Sequence, residues 1–219
     1  MKKLNNIQLR IIGSLIEKEY TTPDYYPLTL NSLLNACNQK SNREPVFNLK
    51  ENELENELEK LESLKLVQID DASRAKKFKQ RFCNSPFGYL GITPAESSIL
   101  CVLFLRGPQT LGEIKIRTQR LYEFKNLTEV EETIFNMSKT ENNMIVILPK
   151  LPGKREQRYM HNFSEEQFLN EATENSIAID TNSPVNPEIE INTLKKKLET
   201  IKLQINDIEN RLNYLVSKV

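Results

Sequence analysis

The chain has 219 residues, 38% apolar and 27% charged, with 30 Lys+Arg against 30 Asp+Glu. That composition can bury cores, which excludes a disordered or collagen-like chain, and zero net charge argues against an overwhelmingly basic nucleic-acid binder. The longest apolar run, residues 99–105, is far short of the roughly 20 residues that span a bilayer.

The first helix is announced by Asn5 as N-cap with Gln8 three residues on, and Leu4 and Leu9 occupy the two staple positions. Its apolar face is Leu9, Ile12, Leu15 and Ile16, and Thr22-Pro23 stops it, because a residue before proline is pushed out of helical geometry. Thr29 and Ser32 open a second, short helix that runs to about Cys37. Asn48 and Glu51 offer a capping box for a third, with Leu54, Leu58, Leu61 and Leu64 on one face. Residues 66–69 and 76–82 then flank the turn Asp70-Asp71-Ala72-Ser73 as a two-stranded hairpin.

The same order returns. Thr93-Pro94 with Glu96 starts a helix that Gly107-Pro108 closes; Thr110 with Glu113 opens a second; Thr128 with Glu131 opens a third carrying Val130, Ile134 and Met137. Residues 144–148 and 157–163 flank Pro152-Gly153 as a second hairpin. Thr29 to Thr110 is 81 residues and Asn48 to Thr128 is 80, so the unit repeats with a period near 80. Three helices and a hairpin, twice over, predict a mainly α chain with small β-hairpins (α+β): two tandem winged-helix domains, the winged form of helix-turn-helix. A three-helix bundle with an incidental hairpin is the plainer alternative. The expected divisions are 1–89 and 90–163 for the two domains, 164–188 for a polar linker with two Asn/Ser-Pro steps, and 189–219 for a C-terminal helix.

In that last segment Ile191, Leu194, Leu198, Ile201, Ile205, Ile208, Leu212 and Leu215 fill the a and d positions of successive heptads, with Val219 continuing the row. Such a seam wants a partner helix, so the expectation is a coiled coil that joins two copies, or a tail folded back on its own body. Strand number and orientation stay open.

Little in the sequence points to catalysis. Cys37, Cys83 and Cys101 form no Cys-x-x-Cys pair and read as buried thiols of a reducing cytoplasm. The start Met1-Lys2-Lys3-Leu4 is followed by polar residues, so no export signal is expected. The single histidine, His161, cannot build a His-rich metal site and reads as structural; Cys83 activated by His161 lacks a supporting motif. Six scattered glycines give no phosphate-cradling loop. No enzyme, metal or cofactor is expected.

Charge placement is more informative. Residues 1–90 and 91–163 each carry +2, and residues 164–219 carry −4. Arg74, Lys76, Lys77, Lys79 and Arg81 crowd the first hairpin; Lys150, Lys154, Arg155 and Arg158 crowd the second with only Glu156 opposing. With Lys40 and Arg43, and with Lys115, Arg117 and Arg120, these are the candidate phosphate contacts. Basic strand edges also simply discourage aggregation. Against DNA stand the third helices, which carry Glu51, Glu53, Glu55, Glu57, Glu59 and Glu62 in one half and Glu129, Glu131 and Glu132 in the other. Carboxylates there repel phosphates and accept hydrogen bonds from few base edges.

The stretches ACNQKSNREPV (36–46), QRFCNSPFG (80–88), LRGPQTLGE (105–113), YEF (122–124) and PGKREQRYMH (152–161) resemble the YceH-like family of bacterial proteins over residues 1 to about 163. The resemblance implies a tandem winged-helix fold, with no established biochemical role and no catalytic residues to carry over. Two positions depart from the pattern: Gly112 stands where a proline is expected, and Lys50 where a small capping residue is usual. The distinctive segments, Asn38 to Glu44 and Lys154 to Arg158, are polar and loop-like, which suits a contact surface on a rigid scaffold. The leading expectation is therefore a non-catalytic, transcription-regulator-like DNA-associated protein that contacts phosphates through its wings and forms a homodimer through its tail. The alternative is an adaptor that docks a partner protein on its acidic third helices.

Overall fold

Helix α1 (Asn6–Thr21) begins on the capping box at its first residues: Asn5 Oδ1 accepts from the Gln8 amide at 2.9 Å and Gln8 Oε1 accepts from the Asn5 amide at 3.2 Å. The computed structural model describes residues 2–70, 75–84, 88–139, 143–150 and 156–164, all of them inside one unit, Met1–Ile177. The expected linker beyond Ser164, the heptad helix with Ile191 to Leu215, and the tips of both hairpins lie outside the described residues.

After α1 come strand β1 (Leu28–Thr29), helix α2 (Leu30–Cys37), helix α3 (Glu51–Ser63) and the hairpin β2 (Val67–Asp70) and β3 (Lys77–Gln80). Then follow α4 (Pro94–Arg106), α5 (Leu111–Thr118), α6 (Leu127–Lys139) and the hairpin β4 (Ile145–Leu148) and β5 (Arg158–His161). The chain is thus α+β, with three helices and an antiparallel hairpin occurring twice among the described residues.

The sequence did not signal β1. Two residues are too few for a period, yet Leu28 and Thr29 pair with Phe78 and Lys77 and make the first sheet three-stranded, in the order β1-β3-β2. At the corresponding place in the second half, just before the Thr110 cap of α5, Gln109 forms a single antiparallel bridge with Tyr159, its amide donating to Tyr159 O at 3.0 Å and its carbonyl accepting at 2.8 Å.

Both third helices start two residues from where the side chains suggest. In the first half, Asn38 holds Leu49 outside the helix, accepting from its amide at 2.8 Å and donating to its carbonyl at 2.9 Å. The helix therefore begins after Lys50, whose amide donates to Glu53 at 2.7 Å, and not at Asn48. In the second half Asn126 displaces Thr128 as cap, accepting from the Glu129 amide at 2.9 Å, while Glu129 reaches back to the Lys125 amide at 2.7 Å. Asparagine is the stronger cap of the two.

Helix α1 buries nine consecutive residues, Gln8 to Ile16, and α4 buries Ser97 to Leu105. A helix buried all round lies between two layers and has no solvent face; here α1 and α4 pack on each other and the two halves share one apolar core. Gly13 permits this approach: a Cβ there would stand 3.0 Å from the Leu105 side chain and from Phe104 Cβ. Rings complete the seam, with Phe82 from the first half 5.4 Å from Phe104 and 5.2 Å from Phe163, both edge-on. Such pairs contribute about 0.5–1.5 kcal/mol each beyond their burial.

Candidate interaction surfaces

The segment between α2 and α3, residues 38–50, is polar in sequence and is tied to the core by two buried arginines, Arg43 within it and Arg10 on α1. Arg43, expected among the phosphate contacts, has a side chain with 0% exposure and pairs with Glu17 on α1, Nη2 to Oε2 2.6 Å and Nη1 to Oε1 3.2 Å. It also donates to the carbonyls of Ala36 and Asn42. Arg43 is therefore a structural ion pair and not a contact for a ligand in solvent; the charge was legible in the sequence, but its inward direction was not. Burial pushes the Glu17 carboxyl up, and the hydrogen bonds and charge of Arg43 outweigh this, leaving its pKa below the ordinary carboxylate range.

Arg10 is 1% exposed, lies 4.3 Å over the Phe47 ring and donates to Cys37 O at 3.0 Å and Pro45 O at 2.6 Å. Burial, and the nearby Arg43 charge, lower its pKa to about 10. The same segment is tied to the second half: the Glu44 amide donates to Leu105 O at 2.8 Å, and Arg106 donates to Asn42 Oδ1.

The remaining basic positions separate into groups. Arg74, Lys154 and Arg155 lie outside the described residues. Lys40 and Lys76 are exposed. Lys77 and Lys79 share the outer face of the first sheet, since Phe78 and Gln80 between and beside them are buried; Asp70 stands directly across from Lys77, and Lys79 acts on the half-buried Glu19. Arg81 is half-buried, its amide donating to Leu66 O. Arg158 turns inward and donates to Pro108 O at 2.9 Å. Of the positive side chains flagged on α5, Arg117 pairs with Glu113 at 3.1 Å, while Lys115 is half-buried and Arg120, just beyond the helix, is exposed.

The outward faces of the third helices are of a different character. On α3, Glu51, Glu53, Glu55, Glu59 and Glu62 are exposed, with Lys60 the one cation among them. Glu57 alone turns inward, accepting from Gln8 at 2.8 Å, Asn5 at 3.1 Å and Lys60 at 2.8 Å. The second half exposes large apolar groups that periodicity could not separate from core: Ile116 on α5 at 74%, Leu127 and Phe135 on α6 at 50% and 54%, and Ile147 on β4 at 50%.

The groups considered for chemistry are all inside. Cys37, Cys83 and Cys101 are buried and free, and burial pushes the Cys37 thiol up to about 11 and Cys83 up to about 12, so neither is a thiolate at neutral pH. His161 lies in the seam, 4.9 Å from Phe104, with Nδ1 accepting from the Phe163 amide at 3.3 Å; burial lowers its pKa to about 3. Among the described residues no three His, Cys, Asp or Glu side chains gather as a metal site, and no helix is long and apolar enough to cross a membrane.

Comparison with known proteins is consistent along nearly the whole chain. A family profile described as "Protein of unknown function, DUF480" matches residues 4–154. A UPF0502 protein of Vibrio vulnificus is 42% identical over 217 residues, covering 98% of this chain and 99% of the relative. UPF0502 proteins of Aliivibrio salmonicida and Saccharophagus degradans are 43% and 42% identical, each over 99% of this chain and over 100% and 99% of their own lengths.

Proposed function

We infer a binding role from a firm premise: the chain belongs to the DUF480 family of uncharacterised bacterial proteins, whose curated members carry the name UPF0502. Within that family it fits the YceH-like group, and its halves are two winged-helix domains meeting at residues 89 and 90. The doubled order of elements supports this, as do the pairing of β1 with β3 and the matching Gln109–Tyr159 bridge. The protein is a non-catalytic adaptor that docks a partner protein on the outward faces of its third helices.

One observation carries this reading. The helix that a winged-helix DNA binder offers to the major groove here exposes five carboxylates on α3, and Leu127 and Phe135 on α6. Carboxylates oppose a phosphate backbone, whereas exposed aromatic and aliphatic groups are what protein interfaces desolvate. The seam of α1 against α4 holds the two halves as one piece, so both faces are presented together. Joining two copies through Ile191 to Leu215 would present each face twice.

A second reading, phosphate contact through the first hairpin and the α2–α3 segment, is favoured by exposed Lys76 and by Lys77 and Lys79 on one sheet face of the hairpin, and by exposed Lys40 in the segment. Capture from nuclease-treated lysate, with wild type beside Leu127→Asp and Phe135→Asp, tests the first against the second. Partners that survive nuclease and are lost from the variants support docking. Binding of duplex DNA at low salt, weakened by Lys76→Ala and Lys77→Ala with no nuclease-resistant partner, replaces it with the second reading.

A further inference from the structure

Helix α6 buries Val130, Ile134 and Met137 and leaves an outward stripe at a spacing of four residues: Glu131, Phe135 and Lys139, all exposed. Residues four apart on a helix are neighbours on one face, so the stripe presents a carboxylate, an aromatic ring and an ammonium in that order. The ring is 54% exposed, and Lys139 Nζ stands 3.9 Å from its centre, which places the ammonium on the ring's side of the helix. Among the described residues neither Glu131 nor Lys139 forms a salt bridge.

The order of these groups narrows the occupant. A cover for the stripe has to bring a positive group to Glu131, an apolar group to Phe135 and a negative group to Lys139. An antiparallel copy of the same helix meets that need by symmetry. With a two-fold axis at Phe135, position 131 faces position 139 of the other copy, because both stand four residues from the axis. Both copies then gain the same pairs, as an isologous contact requires. A parallel copy would set Glu131 on Glu131 and Lys139 on Lys139, which is repulsive. The exposed face of α3 has no such symmetry, since Lys60 is the one cation among its carboxylates.

We propose that α6 of one copy packs antiparallel on α6 of a second copy, with Phe135 at the two-fold axis and Glu131 paired to Lys139 on both sides of it. The proposal rests on the docking reading above and divides its surface. Leu127 lies a turn beyond the overlap of residues 131–139 and stays, with the α3 carboxylates, for the partner protein. Phe135 supplies the desolvated centre, and the charges fix direction. An overlap of about two helical turns is small for an interface, so association is weak and falls further with salt.

The test is cross-linking of the full chain through Asn136→Cys, an exposed position next to the axis, with a short bis-maleimide. Cys37, Cys83 and Cys101 are buried and do not compete. The linked pair is expected to form in this parent, to fall at least about tenfold in Glu131→Lys and in Lys139→Glu, and to return when both swaps are combined. An equal mixture of the two single swaps links as well, because those copies complement each other. Pairing through Ile191 to Leu215 alone would link every background equally. Positions 131, 136 and 139 are exposed, so the variants keep the wild-type unfolding midpoint. Absent linking, equal linking in every background, or a double swap as poor as the singles overturns the proposal. If nuclease-resistant capture is then still lost from Phe135→Asp, the docking reading survives with a different protein on α6. If wild type captures nothing either, both fall.

Discussion

Replacing Arg43 by alanine leaves the partly buried Glu17 without its guanidinium, and leaves the carbonyls of Ala36 and Asn42 without their donor. Removing one partner of a buried ion pair costs about 3–5 kcal/mol. The Glu17 side chain keeps 18% exposure and Lys18 stands 3.5 Å away, so the lower end, about 3 kcal/mol, is expected. In urea, with m of about 1–3 kcal/mol/M, that moves the midpoint down by roughly 1–3 M. Glu17→Gln should cost less, because the amide still accepts from Arg43, and the double variant should be less destabilised than the sum of the singles.

The pH dependence checks the cause. The Glu17 pKa is lowered in the folded state, so its contribution is present above the unfolded carboxylate value near 4.5 and is lost as pH falls through the folded value. The gap between wild type and Arg43→Ala should therefore be widest at pH 7 and narrow towards pH 3. An exposed phosphate-binding arginine would change stability by no more than about 0.5 kcal/mol. A loss below about 1 kcal/mol in Arg43→Ala, or a gap that does not move with pH, refutes the buried-pair argument.

Gly13→Val drives a branched side chain into Leu105 and Phe104, which stand 3.0 Å from a Cβ, and should cost about 1–3 kcal/mol by overpacking; a midpoint within error of wild type would place α1 and α4 further apart. His161 holds its pKa near 3 by burial, against an ordinary value of 6.5, so the unfolded chain binds the extra proton between those values. Stability should fall by up to about 1.4 kcal/mol per pH unit below 6.5, and His161→Gln should flatten that part of the slope in urea titrations at several pH values. Lys65 follows α3 at φ 60°, with the Leu66 amide on Leu61 O, so Lys65→Gly should raise the urea midpoint by the equivalent of about 0.5–1 kcal/mol. Thr110→Ala removes the acceptor for the Glu113 amide and should lower thermal stability by about 1 kcal/mol, read by calorimetry.

Capping chemistry and apolar period are local, and where they act alone the sequence was legible. Asn5 with Gln8, Thr93 with Glu96, and Thr110 with Glu113 start α1, α4 and α5 as read, Gly107 at φ 69° closes α4, and both hairpins fall where alternation places them. The third helices show the limit. Asn48 and Thr128 are sound caps taken alone, and they lost to partners elsewhere, Asn38 holding Leu49 in one half and the stronger cap Asn126 in the other.

For the candidate surfaces, the sequence by itself determined how much charge each segment carries and that the third helices are acidic, because composition and helical spacing need no tertiary contact. Only the tertiary structure decided direction. Whether a cation faces solvent or a carboxylate depends on what a distant element places beside it: Glu17 draws Arg43 inward and Pro108 O takes Arg158, while Lys76 stays in water. The same holds for apolar residues. Ile116 and Ile114 read alike along the chain, and only the packing of α5 on α4 and α6 buries one and leaves the other exposed.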